Sequence, residues 1–255
     1  LLNETISQAA PLSKFNEIIT SGSYDEGIRP TLFDFLGHRA LSFFRTNVFA
    51  LAGPAETFTL DQEAYFGPTT NFLQLNVATT DSLNTRFLAV KVLRSLTHFH
   101  FQEKNQKALF YLELERLKFV RDKSTLPDAE ERFYAALNRM TGANQTKDYV
   151  SEAWFELATY HANKGASYDP FGDTTAKDER KKAHAICQRT IEKFPNAYGS
   201  KHCAVLMRSL ENKEIQLNIE DAIVPNTKAR YLLSYRNIEK VHVKLVELDY
   251  EKYLN

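Results

Sequence analysis

Residues 107–121, KALFYLELERLKFVR, carry apolar side chains at Ala108, Leu109, Phe110, Leu112, Leu114, Leu117, Phe119 and Val120. On a 3.6-residue period these cover nearly every side of a helix, so the segment must lie between neighbours and not on the surface. It predicts the central helix of a helical unit, and the flanking sequence agrees. Residues 86–101 repeat the period through Ala89, Val92, Leu93 and Leu96. Phe33, Leu36, Ala40, Phe43 and Phe44 form one face of an earlier helix, which Pro30 can open at its first position, where a missing N–H costs nothing. Downstream, Pro127 with Phe133, Leu137 and Met140 marks another. Val150, Ala153, Trp154, Leu157, Ala158 and His161 form an amphipathic stripe, and Ala183, Ile186, Cys187, Thr190, Ile191 and Phe194 reproduce it until Pro195 stops the helix. Helix after helix with short connections predicts at least seven helices up to about Met207, stacked as antiparallel hairpins.

Two of these helices fit a tetratricopeptide repeat. Trp154, Leu157 and Ala158 match its first helix and Ala183, Cys187 and Pro195 its second, with the Gly- and Pro-containing residues 165–176 as an insertion. Near residue 212 the period changes to 2. Ile215, Leu217 and Ile219 alternate with polar partners, residues 231–235 are β-prone, and Val241, Val243 and Leu245 alternate with His242 and Lys244. The expectation is three strands, with residues 228–236 paired to 241–248 through a turn at 237–240. The predicted fold class is mainly α: TPR-like stacked antiparallel helical hairpins over 1–210, then a short three-stranded antiparallel β segment over 211–255. Three strands leave open edges, so the second region is expected to be the truncated start of a β-sandwich domain.

The chain of 255 residues balances 32 Lys and Arg against 32 Asp and Glu, so no basic surplus steers it to a polyanion, which disfavours nucleic acid as a partner. Hydrophobic residues make up 43%, in the range of folded chains once glycine is added. With 18 Phe and 12 Tyr a sizeable core can form, while 9 Gly and 8 Pro are few for a turn-rich all-β protein. No window approaches a run of about 18 apolar residues, so no transmembrane segment is expected. The first residues, Leu1-Leu2-Asn3, include no initiator Met, so the lack of a signal segment decides nothing about compartment.

Candidate chemistry is sparse. His98 and His100 stand two apart on a helix and point away from each other, so they do not share a metal, and no H-E-x-x-H is present. His202 precedes Cys203, but adjacent helical residues diverge, which argues against a Cys–His nucleophile. Glycine-rich phosphate loops are missing, so no nucleotide cofactor is indicated. Asp128, Glu130 and Glu131 read as first-turn helix charges. Asp169 and Asp173, around Pro170 and Gly172, fall short of the oxygens calcium wants and read as a solvated turn. The aromatic residues Phe33, Phe35, Phe43, Phe44, Phe49, Phe58, Tyr65, Phe66 and Phe72 read as core. Two cysteines are too few for a disulfide framework or a four-cysteine zinc site. Cys187 and Cys203 lie eight residues on either side of Pro195; with a helical corner there they face across one interface, and the expectation is two free, buried, neighbouring thiols. No catalytic, cofactor-binding or metal residue is assigned. The chain reads as non-enzymatic.

Five segments in order, RPTLFDFLGHRALSFF (29–44), LRSLTHFH (93–100), ALFYLELERLKFV (108–120), IEKFPNAYGSKHC (191–203) and YRNIEKVHVKLVEL (235–248), resemble the large alpha-2-macroglobulin-like proteins of Bacteroidetes-type bacteria. The first four match the family's opening helical region and the last the start of its first macroglobulin-type β-sandwich. The resemblance implies the leading module of an exported Gram-negative envelope protein, periplasmic or lipid-anchored, in a family thought to trap proteases. It implies proteases or other envelope proteins as partners of the whole protein. The family's thioester pairs a Cys with a Gln three residues on, in C-x-E-Q. Neither Cys187, followed by Gln-Arg-Thr, nor Cys203, followed by Ala-Val-Leu, fits, so the resemblance assigns this chain no chemistry. The alternative expectation is a free-standing helical-repeat adaptor that grips a peptide in a concave groove.

Overall fold

Thr31 and Asp34 cap helix α1 (Leu32–Arg45) reciprocally: the Asp34 amide donates to Thr31 Oγ1 at 3.2 Å and the Thr31 amide to Asp34 Oδ2 at 3.0 Å. This capping box satisfies two otherwise orphaned N–H groups and fixes the helix start after Thr31, so Pro30 precedes the cap instead of opening the helix. The computed structural model describes residues 10–19, 27–46, 58–169, 171–220, 227–244 and 246. Within them α1 is followed by α2 (Thr69–Gln74), α3 (Thr85–Gln102), α4 (Gln106–Lys123), α5 (Ala129–Ala143), α6 (Val150–Lys164), α7 (Glu179–Lys193) and α8 (Tyr198–Glu211), then strands β1 (Glu214–Ile219) and β2 (Tyr231–Arg236).

The helix directions can be read from their contacts. His100, in the last turn of α3, meets Asp34 in the first turn of α1. Tyr134 near the start of α5 stacks on Tyr160 near the end of α6 at 4.7 Å, and Trp154 of α6 meets Phe194 at the end of α7 at 5.8 Å. Ser200 of α8 bonds the Thr190 carbonyl of α7, while His184 reaches Glu211. The pairs α1/α3, α5/α6, α6/α7 and α7/α8 are therefore antiparallel, and α8 also packs on α6.

Helix α4 sits at the centre, as its all-round apolar sequence requires. Leu112, Leu114, Leu117, Phe119 and Val120 are buried in a core built from α1 to α6. Of the aromatic residues expected inside, Phe33, Phe58, Tyr65, Phe66 and Phe72 are buried; Phe35 and Phe44 are half-buried, Phe43 is exposed, and Phe49 lies outside the described residues.

One fully buried residue of α4 is charged. Arg116 donates to the Tyr65 and Gly67 carbonyls, both at 2.7 Å, and lies 4.5 Å over the Phe72 ring. Those carbonyls end the 3-10 turn Glu63–Phe66 and have no strand or helix to serve them, so the guanidinium fork takes that place. Burial pushes its pKa down to about 10, with Glu113 acting in the opposite sense.

The β segment departs from expectation. β1 and β2 pair antiparallel in register from Glu214 opposite Arg236 to Ile219 opposite Tyr231, so the β-prone stretch at 231–236 is paired to the strand before it, not to residues 241–248. Residues 241–244 and 246 form no strand, and Leu245 with residues 247–255 lies outside the described residues. A local cause is visible at the predicted turn. Asn237 sits at φ 56° and its side-chain amide donates to the Leu210 and Asn212 carbonyls, at 2.7 and 3.0 Å. The end of β2 is thus tied to the end of α8, where a tight hairpin would have reversed the chain.

Candidate functional site

The histidines expected to diverge do so. His98 is exposed, whereas His100 is buried with Nε2 2.6 Å from Asp34 Oδ1. Asp34 is saturated by that contact and by the Thr31 amide and hydroxyl. Neighbouring His38 is pushed down to about 4 by burial and then by the Arg29 guanidinium. A second buried pair joins α6 to α7: His161 Nδ1 lies 2.5 Å from Glu179 Oε2, and Lys182 donates to Glu179 Oε1 at 2.8 Å. The Lys182 contact, with His161 behind it, holds the Glu179 carboxyl below the usual carboxylate range. Both pairs lie at helix crossings, as ties between helices. The local spacing Thr31-x-x-Asp34 is a signal for the cap that the reading of Pro30 as the helix start passed over; the distant partners His100 and Glu179 leave no local signal.

His202 and Cys203 face apart, His202 against the Phe155 and Tyr198 rings and Cys203 into the interior. Cys187 and Cys203 are free and fully buried beside Ala158 and Ala183, so the expected neighbouring thiols are there. Asp169 and Asp173 spend their oxygens on loop amides: Asp169 accepts from Phe171 and Asp173 from Thr175, both at 2.9 Å. Among the described residues no three His, Cys, Asp or Glu side chains gather closely enough to hold a metal ion. Asp128 precedes α5 and pairs with Arg132 at 2.8 Å, and Glu130 and Glu131 fill the first turn.

Two surfaces remain as candidates. A polar cleft of about 550 Å³ opens between α4, α5 and α6, with Arg121, Glu130, Glu131, Glu156, Tyr160 and Lys164 around it. Glu156 there is paired with Lys118 at 2.7 Å. The other is the β hairpin. Opposed pairs share a face of an antiparallel ribbon, so Ile215 with Tyr235, Leu217 with Leu233 and Ile219 with Tyr231 make one apolar face. The three residues of β1 and both tyrosines are 50–60% exposed. The opposite face carries Glu214, Gln216, Asn218, Ser234 and Arg236, with one exposed apolar residue, Leu232. Sequence alternation alone announced the apolar face, and among the described residues none covers it.

No family profile, no curated protein and no solved structure matches the chain. No helix among the described residues is long and apolar enough to cross a membrane.

Proposed function

We propose that this chain is a non-enzymatic leading module of a cell-envelope, macroglobulin-like protease trap. Its helices form TPR-like stacked hairpins, and its β segment is the opening of a sandwich whose later strands cover the apolar face of β1 and β2. The observation that carries the reading is that face: three opposed apolar pairs, five of their six side chains exposed, on a two-stranded ribbon. A lone hairpin is marginal in water, and a sandwich covers such a face with its second sheet. The resemblance of residues 235–248 to the first macroglobulin-type domain supplies the same completion.

The test is hydrogen exchange on the chain alone and on a version extended by its own downstream coding residues. In the extended protein, amides of 214–219 and 231–236 gain at least about 100-fold protection. Unchanged exchange, or a stop codon directly after Asn255, overturns the reading. The chain itself neither hydrolyses peptide, ester or glycosidic substrates nor forms a protease adduct; an adduct band lost in Cys187→Ala or Cys203→Ala refutes the non-enzymatic assignment. The cleft between α4, α5 and α6 favours a second reading, a free-standing adaptor for an extended peptide. An adaptor keeps its peptide binding when residues 213–255 are deleted.

A further inference from the structure

Cys187 lies midway along α7 and Cys203 along α8, where the antiparallel pair crosses. Both are fully buried in one small cluster with Ala158 and Ala183, and the Ser200 bond to the Thr190 carbonyl sets an antiparallel register that puts them level with each other. The Thr190 hydroxyl donates to the Ile186 carbonyl, at 2.7 Å. The Cys187 thiol lowers the Cys203 pKa, against burial and the Glu152 charge, while the same neighbour, with burial, raises that of Cys187 and holds its proton in place.

A carboxyl group belongs to the same cluster. Gly199, one turn before Cys203, has no room for a side chain: a Cβ there would lie 2.2 Å from Ser151 C and 2.5 Å from Glu152 N. That close approach seats α8 directly on the α6 backbone and brings Glu152 to Cys203, which feels its charge. Glu152 is 8% exposed, and its Oε1 is buried with no hydrogen-bond partner. The charged groups acting on it are Lys118 and Glu115 of α4 and Glu156 of its own helix. Burial pushes its pKa up to about 7, so near neutrality it can take a proton or release one.

We propose that Cys187 and Cys203 are an oxidisable dithiol, closed to a disulfide by a disulfide-class oxidant such as oxidised glutathione, with Glu152 accepting the first proton. Cys203 transfers its proton to the Glu152 carboxylate, and the thiolate attacks one sulfur of the oxidant. The oxidant S–S bond breaks and its leaving thiolate takes the proton back from Glu152. Cys187 then attacks the Cys203 sulfur of the mixed disulfide, and the second oxidant thiolate leaves with the Cys187 proton. Two protein thiols are oxidised to one disulfide, and one disulfide is reduced to two thiols. The two thiols are neighbours in one buried cluster, so closure to about 2.05 Å requires α8 to shift against α7. Tyr198 and Val205 expose the outer side of α8, and local opening of α8 admits the oxidant.

The experiment incubates the reduced full chain with oxidised glutathione, quenches aliquots in acid, and alkylates them in denaturant for mass spectrometry. The expected result is loss of both thiols together, a mass decrease of about 2 Da, and one linked pair of peptides spanning residues 187 and 203. Persistence of both thiols, or a stable glutathione adduct with no internal bond, overturns the proposal. Cys187→Ser is expected to trap glutathione on Cys203, whereas Cys203→Ser leaves Cys187 unmodified; the reverse pattern refutes Cys203 as the attacking sulfur. With melting curves showing that each variant is folded, Glu152→Gln closes at least about tenfold more slowly and loses the rise in rate between pH 6 and 8, and Glu152→Asp restores part of it. Closure of Glu152→Gln at the unmodified rate and pH profile removes Glu152 from the mechanism.

Discussion

Replacing Gly199 by Ala sets two effects of opposite sign against each other. In an open helix position the change gains up to about 1 kcal/mol in propensity. At Gly199 the new methyl would meet Ser151 C at 2.2 Å, Ser151 O at 2.3 Å and Glu152 N at 2.5 Å, all backbone atoms that no rotamer can move away. Carbon contacts settle near 3.5 Å, so α6 and α8 must part by roughly 1.3 Å. Both helices also pack on α7, so the displacement opens a gap over Ala158, Ala183 and the two thiols. Overpacking of this kind costs about 1–3 kcal/mol and more where backbone must shift, so the clash wins by about 2 kcal/mol, or some 4–8 °C in melting temperature. Gly142 is the control: it lies in α5, is exposed, and a Cβ there meets nothing within 4 Å. Gly142→Ala is therefore expected to raise the melting temperature by a degree or two. Thermal and urea unfolding of both variants decide the matter. A Gly199→Ala protein as stable as Gly142→Ala refutes the close α6–α8 crossing.

Further outcomes follow from other buried groups. Leu114→Asp puts an unpaired charge in the centre of α4 and should cost several kcal/mol, with loss of the cooperative melting transition. Arg116→Met leaves the Tyr65 and Gly67 carbonyls without their donor and should cost about 3 kcal/mol by urea titration; Arg116→Lys, with no fork, recovers little of it. The folded chain holds the Glu152 proton up to about pH 7 whereas the unfolded chain releases it near 4.5, so this group makes stability fall as pH rises between those values. Glu152→Gln should flatten that part of the stability profile and be the more stable protein at pH 8, by up to about 3 kcal/mol. Amides of 214–219 and 231–236 should exchange far faster than those of 108–120 in the chain alone; equal rates would mean that the hairpin is a finished structure.

Apolar periodicity carries the helices because burial of one face, or of all faces in α4, is a local property of the sequence. Its limit shows at Arg116, which sits within that run and reads as a break in it, although the side chain is as buried as its neighbours. Its partners are carbonyls some fifty residues earlier, and no local pattern announces them. Asp34 with His100 and His161 with Glu179 were invisible for the same reason, since each pair meets only across a helix crossing. The thiol pair was legible because Pro195 marks a corner and equal spacing on either side places the residues level. Glu152 was not, because its approach to Cys203 depends on how closely Gly199 lets α8 settle on α6. The third strand is not seen in the described residues 241–244 and 246, where alternation was the sole guide: a polar-apolar period gives the faces of a strand and not its partner, and the side-chain bonds of Asn237 tie the chain to α8 there.

The fastening of residues 60–67 also sets an order of events during synthesis. The Tyr65 carbonyl awaits a donor 51 positions later, at Arg116, and the Leu60 carbonyl awaits Ser124, 64 positions later. As the chain leaves the ribosome from its N-terminus, this stretch emerges well before the groups that hold it, and those groups are positioned only once α4 has coiled. Until then Phe58, Leu60, Tyr65, Phe66 and Phe72 have no core to enter. The nascent chain therefore carries a run of uncovered aromatic surface for the time taken to add some sixty residues, a few seconds at ordinary elongation rates and a natural interval for a holding chaperone to act.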